Sequence, residues 1–351
     1  MKIPSRDHAE TVMNTIPTTS SNILPSYTAV GGTERSASTG LSAVILNRGG
    51  RYSRYEMFDE LMKAGFDYIL SMESGANRYD LENLTQTFPS VRFILFKDTV
   101  SIGDEINLAA AELTSPLFFV MRSDMKILRG GQAERMAERL LAPQGQLNDT
   151  ASPYKRLCTV PVIQDTHAEI LPTLIVPALI PENKHGLIKT IPVTSLREGH
   201  PTLFPFDGIG IYDRERFIRL GGYDSSIKSS YWQLMDFGFR SSLWGEEIAS
   251  TQFIKMSYET ELPLENSTVN ESSLKFILKN LSPVFRKDYA HIPYRRFFDY
   301  YKRRRHLSAA WKEFKEARDW VKINRYRFKS DARTIAERFI TEEEDISQEK
   351  Q

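Results

Sequence analysis

Two stretches carry the side chains best suited to chemistry. The first is Met121-Arg122-Ser123-Asp124-Met125, which closes an apolar run beginning at Leu117. A guanidinium at position 122 matches phosphate oxygens in pairs. A carboxylate at 124 can hold Mg2+ or Mn2+ when phosphates and waters supply the other oxygens. The plainer alternative is that Asp124 caps the turn after the run. The second stretch, 205–245, holds Asp207, Gly208-Ile209-Gly210 and Gly221-Gly222-Tyr223-Asp224, followed by Tyr231, Trp232, Gln233, Asp236 and Arg240. Glycines entering a site let the backbone approach a ligand closely. An aromatic face such as that of Trp232 covers the apolar side of a sugar ring, although an aromatic pair ahead of a helix is also an ordinary core feature. Asp236 and Arg240 stand four apart, the spacing of an ion pair along one helix face. Of the scattered histidines only His200, beside the second stretch, is kept as a candidate metal ligand.

The elements that must position these residues are visible as alternation. Short apolar runs at 41–46, 66–70, 91–96 and 117–121 are separated by helical stripes at 52–64, 81–88 and 102–113. Alternation at this spacing predicts a parallel α/β sheet with right-handed crossovers, whose ligands collect at the carboxyl ends of the strands. Those ends are Asn47-Arg48, Ser71-Met72-Glu73, Lys97-Asp98 and Ser123-Asp124. Downstream, the pattern predicts a helix at 132–141, strands at 158–163, 171–180 and 206–212, helices at 213–220 and 232–244, and mostly helix over 272–340. Residues 1–40, rich in Ser, Thr, Pro and Gly, read as a flexible arm. The expected division is then an α/β domain over 41–260 and a basic helical extension over 261–345.

Composition narrows the class. With 41% hydrophobic and 26% charged residues among 351, the chain can bury a sizeable core while staying soluble. The longest apolar segment, 170–180, is short and carries two prolines, so no spanning helix is expected. The first forty residues lack a basic start followed by an apolar stretch. A single cysteine, Cys158, leaves no internal disulfide and no Cys-based metal site. A cytoplasmic address is the expectation. Net charge is +1, but residues 270–330 hold 17 Lys and Arg against 6 Asp and Glu, whereas 331–351 hold 3 against 7. Within the basic part, Tyr294, Phe297, Phe298, Tyr301, Leu307, Trp311 and Phe314 recur at helical spacing. That pattern fits a helix on an anionic membrane face, a docking surface for a protein, or aromatics packed onto the domain with Lys and Arg solvated. No recognition motif accompanies the charge, so nucleic acid is not expected as a partner.

The block from Gly208 through Asp213-Arg214 and Gly221-Gly222-Tyr223-Asp224 to Arg240, preceded by Gly103–Ala111 and the Asp124 turn, resembles glycosyltransferase family 2 and its relatives of the GalNAc-transferase type. The resemblance implies a GT-A fold, a mixed α/β sheet flanked by helices, here with a C-terminal helical extension. It implies a glycosyltransferase moving a sugar from a nucleotide-sugar donor to a glycan, lipid-linked or protein acceptor. Carried over by position, donor contacts fall on Asn47, Arg48, Glu73, Gly103, Asn107, Arg122 and Ser123. A Mg2+ or Mn2+ ion falls on Asp124, with His200 as a further ligand. Acceptor contacts fall on Gly208, Trp232, Gln233 and Arg240, and the base is Asp236 or Asp207. Two positions depart from the pattern. The family's Asp-any-Asp has Arg122 in its first place, and the acid pair expected seven residues before Arg240 is Gln233-Leu234. Leucine cannot take a proton and glutamine is a poor base. The rival expectation is therefore a non-catalytic nucleotide-sugar binding or assembly protein. A nucleotidyltransferase is disfavoured, because no Gly-rich phosphate loop with a Lys follows the first strand. The basic helices add the expectation of a peripheral position at the inner membrane face.

Overall fold

A computed structural model describes residues 24–32, 37–47, 54–74, 81–141, 156–179, 188–260 and 266–339. In chain order the first half comprises β1 (Tyr27–Gly31), β2 (Leu41–Asn47), α1 (Arg54–Ala64), β3 (Ile69–Glu73), α2 (Leu81–Thr87), β4 (Val91–Phe96), α3 (Ile102–Glu112) and β5 (Leu117–Arg122). Next come β6 (Met125–Arg129), α4 (Ala133–Leu141), β7 (Arg156–Gln164), β8 (Leu174–Leu179), β9 (Ile188–Val193) and β10 (Gly210–Asp213). The rest comprises α5 (Arg214–Leu220), α6 (Ser230–Leu243), β11 (Glu247–Tyr258), α7 (Glu271–Phe276), β12 (Val284–Arg286), β13 (Tyr289–His291), α8 (Arg296–Arg304) and α9 (Leu307–Asn324).

The central sheet runs β1-β4-β3-β2-β5-β10-β7-β11-β6. Strands β2, β3, β4 and β5 are mutually parallel, as the alternation predicts, and their order reverses between β2 and β5. Every residue of β2 is buried, as expected of a strand covered on both faces. One apolar cluster under α1 and α4 fills one face; another, under α3 and α6, fills the other. Beyond β5 the sheet turns mixed, because β10 pairs antiparallel with both β5 and β7.

Three expectations are corrected. Tyr27–Gly31, read as part of the flexible arm, is an edge strand antiparallel to β4, held by backbone pairing and by a Tyr27 hydroxyl bond to Glu112. The strand expected at 206–212 is a 3-10 turn, Phe206–Gly208, followed by the shorter β10. Asp207 and Gly208 have φ of 50° and 74°, left-handed values that break a strand's period. The helical run expected over 272–340 is interrupted by the β12–β13 hairpin, which turns at Lys287 with φ of 57°. The C-terminal helices also pack onto the domain: Phe314, Trp320 and Phe328 lie in the same apolar cluster as Phe237 and Phe239, and Trp320 stacks on Trp244 at 5.9 Å. Among the described residues no helix is long and apolar enough to cross a membrane.

Candidate functional site

Strand β5 ends where the sheet order reverses, and Arg122 is its last residue. Its guanidinium turns back onto the following loop: Nε donates to Asp124 Oδ1 at 2.8 Å and Nη2 to Asp124 Oδ2 at 2.9 Å. Nη1 donates to Asp207 Oδ2 at 2.9 Å. The left-handed turn at Asp207 delivers that carboxylate, 85 residues along the chain, to the strand end. Thr260 Oγ1 adds a bond to Asp124 Oδ2 at 2.7 Å. Arg122 is 16% exposed, and burial alone disfavours its charge. Asp207 and Asp124 outweigh that penalty and hold the guanidinium more firmly charged than usual. The two acids are likewise almost covered.

This geometry bears on the divalent ion expected at Asp124. Both oxygens of that carboxylate are taken by the Arg122 fork, a cation already standing where a metal would be held, so the residues present do not fit one. His200 is placed elsewhere. Its backbone pairs with Ser250 near the start of β11, three strands from β5. Among the described residues there is no group of three or more His, Cys, Asp and Glu that could hold a metal ion, and Asp124 and His200, expected to share one, lie at the ends of different strands.

The ends of β2 and β3 form a second polar group. Glu73 accepts from Asn47 Nδ2 at 2.7 Å, Arg54 Nη1 at 2.6 Å and Ser71 Oγ at 2.7 Å; Ser123 Oγ donates to Asn47 Oδ1 at 3.3 Å. Asn47, Glu73 and Ser123, expected on the donor side, are thus brought together beside Arg122. Arg48 lies outside the described residues. Sequence reasoning overlooked Arg54, whose signal was a lone arginine opening an otherwise apolar helical stripe.

Several of the other expected contacts also brace the fold. Asn107 grips the backbone of Tyr223 in both directions, accepting from its N–H and donating to its carbonyl, each at 2.8 Å. Gln233 accepts from the Gly103 N–H at 3.0 Å and donates to the Asp224 carbonyl at 3.2 Å. A Cβ on Gly103 would stand 2.5 Å from Gln233 and Tyr223, so the glycine serves helix packing, and one on Gly208 would stand 2.9 Å from Ile106. Trp232 is buried against Phe276 with its indole N–H on the Thr268 carbonyl. Arg240 donates to the Leu220 and Gly222 carbonyls at 2.7 Å each and to Asp236 at 2.9 Å. Asp236 is 0% exposed and also meets Asn280 and Lys279. Lys279 and Asn280 meet one of its oxygens and Arg240 the other, so both oxygens of the expected base are held by buried partners. Lys279 and Asn280 come from the π-helical turn Ile277–Leu281, inside the segment read only as basic helix. A cavity of about 660 Å3 between α1, β6 and α4 lies off this site; Met121 and Met125 line it, but none of Asn47, Glu73, Arg122, Asp124 or Asp207 does.

No protein-family model matches the chain, and no curated protein matches it. Solved structures do. GalNAc-T7, crystallised with UDP, GalNAc and Mn2+, superposes with a TM-score of 0.51 at 14% identity over 88% of this chain and 57% of that one. The chain therefore spans little more than half of that protein's length. TarS of S. aureus, residues 1–349 in complex with UDP-GlcNAc, gives a TM-score of 0.43 at 11% identity over 68% of this chain and 64% of that one. The fold is that of the GT-A glycosyltransferases.

Proposed function

We propose that the chain is a nucleotide-sugar transferase in which Arg122, rather than a divalent ion, faces the donor diphosphate. One observation carries this reading: the Arg122 guanidinium stands at the carboxyl end of β5, beside the reversal in strand order where ligands of such sheets collect. It uses only part of its planar fork on Asp124 and Asp207, leaving N–H donors for phosphate oxygens. The adjoining Asn47, Glu73 and Ser123 group supports a nucleoside contact. In the reaction, an acceptor hydroxyl oxygen bonds to the anomeric carbon as the bond from that carbon to the diphosphate breaks. Arg122 stabilises charge on the departing diphosphate, and Asp207 takes the hydroxyl proton. The acceptor is a glycan, a lipid-linked sugar or a protein.

The burial of Asp236 and the presence of Leu234 favour a second reading, a nucleotide-sugar binding protein without turnover. Titration calorimetry of UDP, GDP, CMP and dTDP sugars, in EDTA and again with Mn2+, separates the two. The transferase reading expects binding in EDTA that Arg122→Gln abolishes, and sugar release that Asp207→Asn abolishes while binding persists. Binding without turnover across many acceptors favours the second reading. No binding of any nucleotide sugar rejects both.

A further inference from the structure

We propose that the α8–α9 pair is a docking surface for an anionic phospholipid bilayer, independent of the reading above. The two helices pack through Phe297 on Phe314, centroids 5.3 Å apart, and through the Tyr300 hydroxyl on Glu313, with Tyr300 and Phe314 buried. Their other faces leave apolar side chains in water: Phe298 is 65% exposed, Leu307 60%, Trp311 47% and Tyr301 37%. Isolated exposed apolar residues are ordinary, but these rings form one patch. Phe297 links them, with centroids 6.0 Å from Phe298, 6.2 Å from Tyr301 and 5.1 Å from Trp311.

Charge identifies the occupant. Residues 294–324, which cover both helices, hold ten Lys and Arg against four acids, Asp299, Glu313, Glu316 and Asp319. Glu313 is engaged by Arg304 and the Tyr300 hydroxyl, which removes it from the outward field. Arg295, Lys302, Arg305, Lys312 and Lys315, close to the rings along the same stretch of chain, are exposed. Aromatic and leucyl side chains set among lysines and arginines suit the headgroup layer of an anionic bilayer. There the rings lie at the acyl boundary while the cations meet lipid phosphates.

The test is co-sedimentation of the full chain with vesicles of phosphatidylcholine alone and of phosphatidylcholine with phosphatidylglycerol. The expected result is binding to the anionic vesicles only, weakened by salt, and lowered about tenfold or more by Phe298→Ser/Trp311→Ser. Both positions are exposed, so the melting temperature should hold. Should that variant fold poorly, Lys302→Glu/Lys312→Glu provides the same readout through charge. No binding to anionic vesicles overturns the proposal. So does binding that neither variant weakens, or tighter capture of a single-stranded oligonucleotide than of vesicles.

Discussion

Lys279 Nζ lies 3.1 Å from Asp236 Oδ1, and the same ammonium meets Asp224 Oδ2 at 2.5 Å. Lys279 therefore bridges two acids, and Arg240, on the other oxygen of Asp236, supplies the second positive charge. The cluster ties the Gly-Gly-Tyr-Asp turn, α6 and the π-helical turn together and leaves the Asp236 carboxylate closed to solvent.

Replacing Lys279 with Met leaves Asp224 and Asp236 buried beside one cation, Arg240, and is expected to destabilise the fold by about 3 kcal/mol. Its pH dependence follows from Asp224. Burial alone would raise that carboxyl's pKa, but Lys279 outweighs burial and holds it well below the usual carboxylate range. A depressed folded pKa contributes stability above the unfolded value, about 3.9, and loses it as pH falls further. Urea midpoints should thus show the gap between wild type and Lys279→Met narrowing on acidification below about pH 4. A gap unchanged by pH would remove Asp224 from the account.

Gly222→Ala probes the brace at Asn107. Gly222 has φ of 61°, and a Cβ there would stand 2.3 Å from Asn107 Oδ1. The left-handed backbone costs about 1 kcal/mol, and displacing Asn107 from Tyr223 costs about 1 kcal/mol for each of two bonds. A total of about 3 kcal/mol is expected. Gly245→Ala is the control: its φ is 79°, but its nearest neighbour is the flexible Lys329 side chain at 3.3 Å, so only the backbone cost should appear in chemical denaturation. Equal losses in the two variants would mean that the Asn107 clip contributes nothing.

How far the sequence could be read depends on the range of the interactions. Alternating apolar runs and stripes carry β2 to β5 because burial on both sheet faces leaves a local pattern. The polar strand ends at Asn47, Glu73 and Ser123 follow from it. The partners of the charged groups were not legible. Arg122 chooses an acid 85 positions away, and Asp236 a lysine in another segment, so neither pairing leaves a trace in spacing. The Asp236–Arg240 spacing did predict their ion pair, yet not that Lys279 and Asn280 would close over it. Strand β1 escaped notice because its residues alternate between half-buried and exposed, and its order comes from partners in β4 and α3.

That edge strand offers a third test. Burial, and then the neighbouring Glu112, push the Tyr27 phenol up to about 12. A raised folded pKa contributes stability below the unfolded value of about 10 and loses it as pH climbs toward the folded one. Tyr27→Phe is expected to cost about 1 kcal/mol at neutral pH, the worth of its bond to Glu112. The difference should shrink and then change sign in strongly alkaline solution, where the ionised phenol is opposed by burial and by Glu112 and phenylalanine is not. A variant as stable as wild type at neutral pH would show that backbone pairing alone secures β1.

The Arg122 substitution gives the sharpest test of the site. Arg122→Asp removes the cation and returns an Asp-any-Asp pattern, placing a new carboxylate beside Asp124 and Asp207. Without an ion the variant holds three crowded acids and should melt lower than wild type. Mn2+ should restore it, since a ligand that binds only the folded state at a hundredfold excess over its Kd stabilises by about 2.7 kcal/mol. Wild type, with both Asp124 oxygens on the guanidinium, should show no such gain. Thermal melts with EDTA and with Mn2+ read the difference directly. If Mn2+ raised wild type as much as the variant, Arg122 would have to yield Asp124 to the ion, and the guanidinium could not be its replacement.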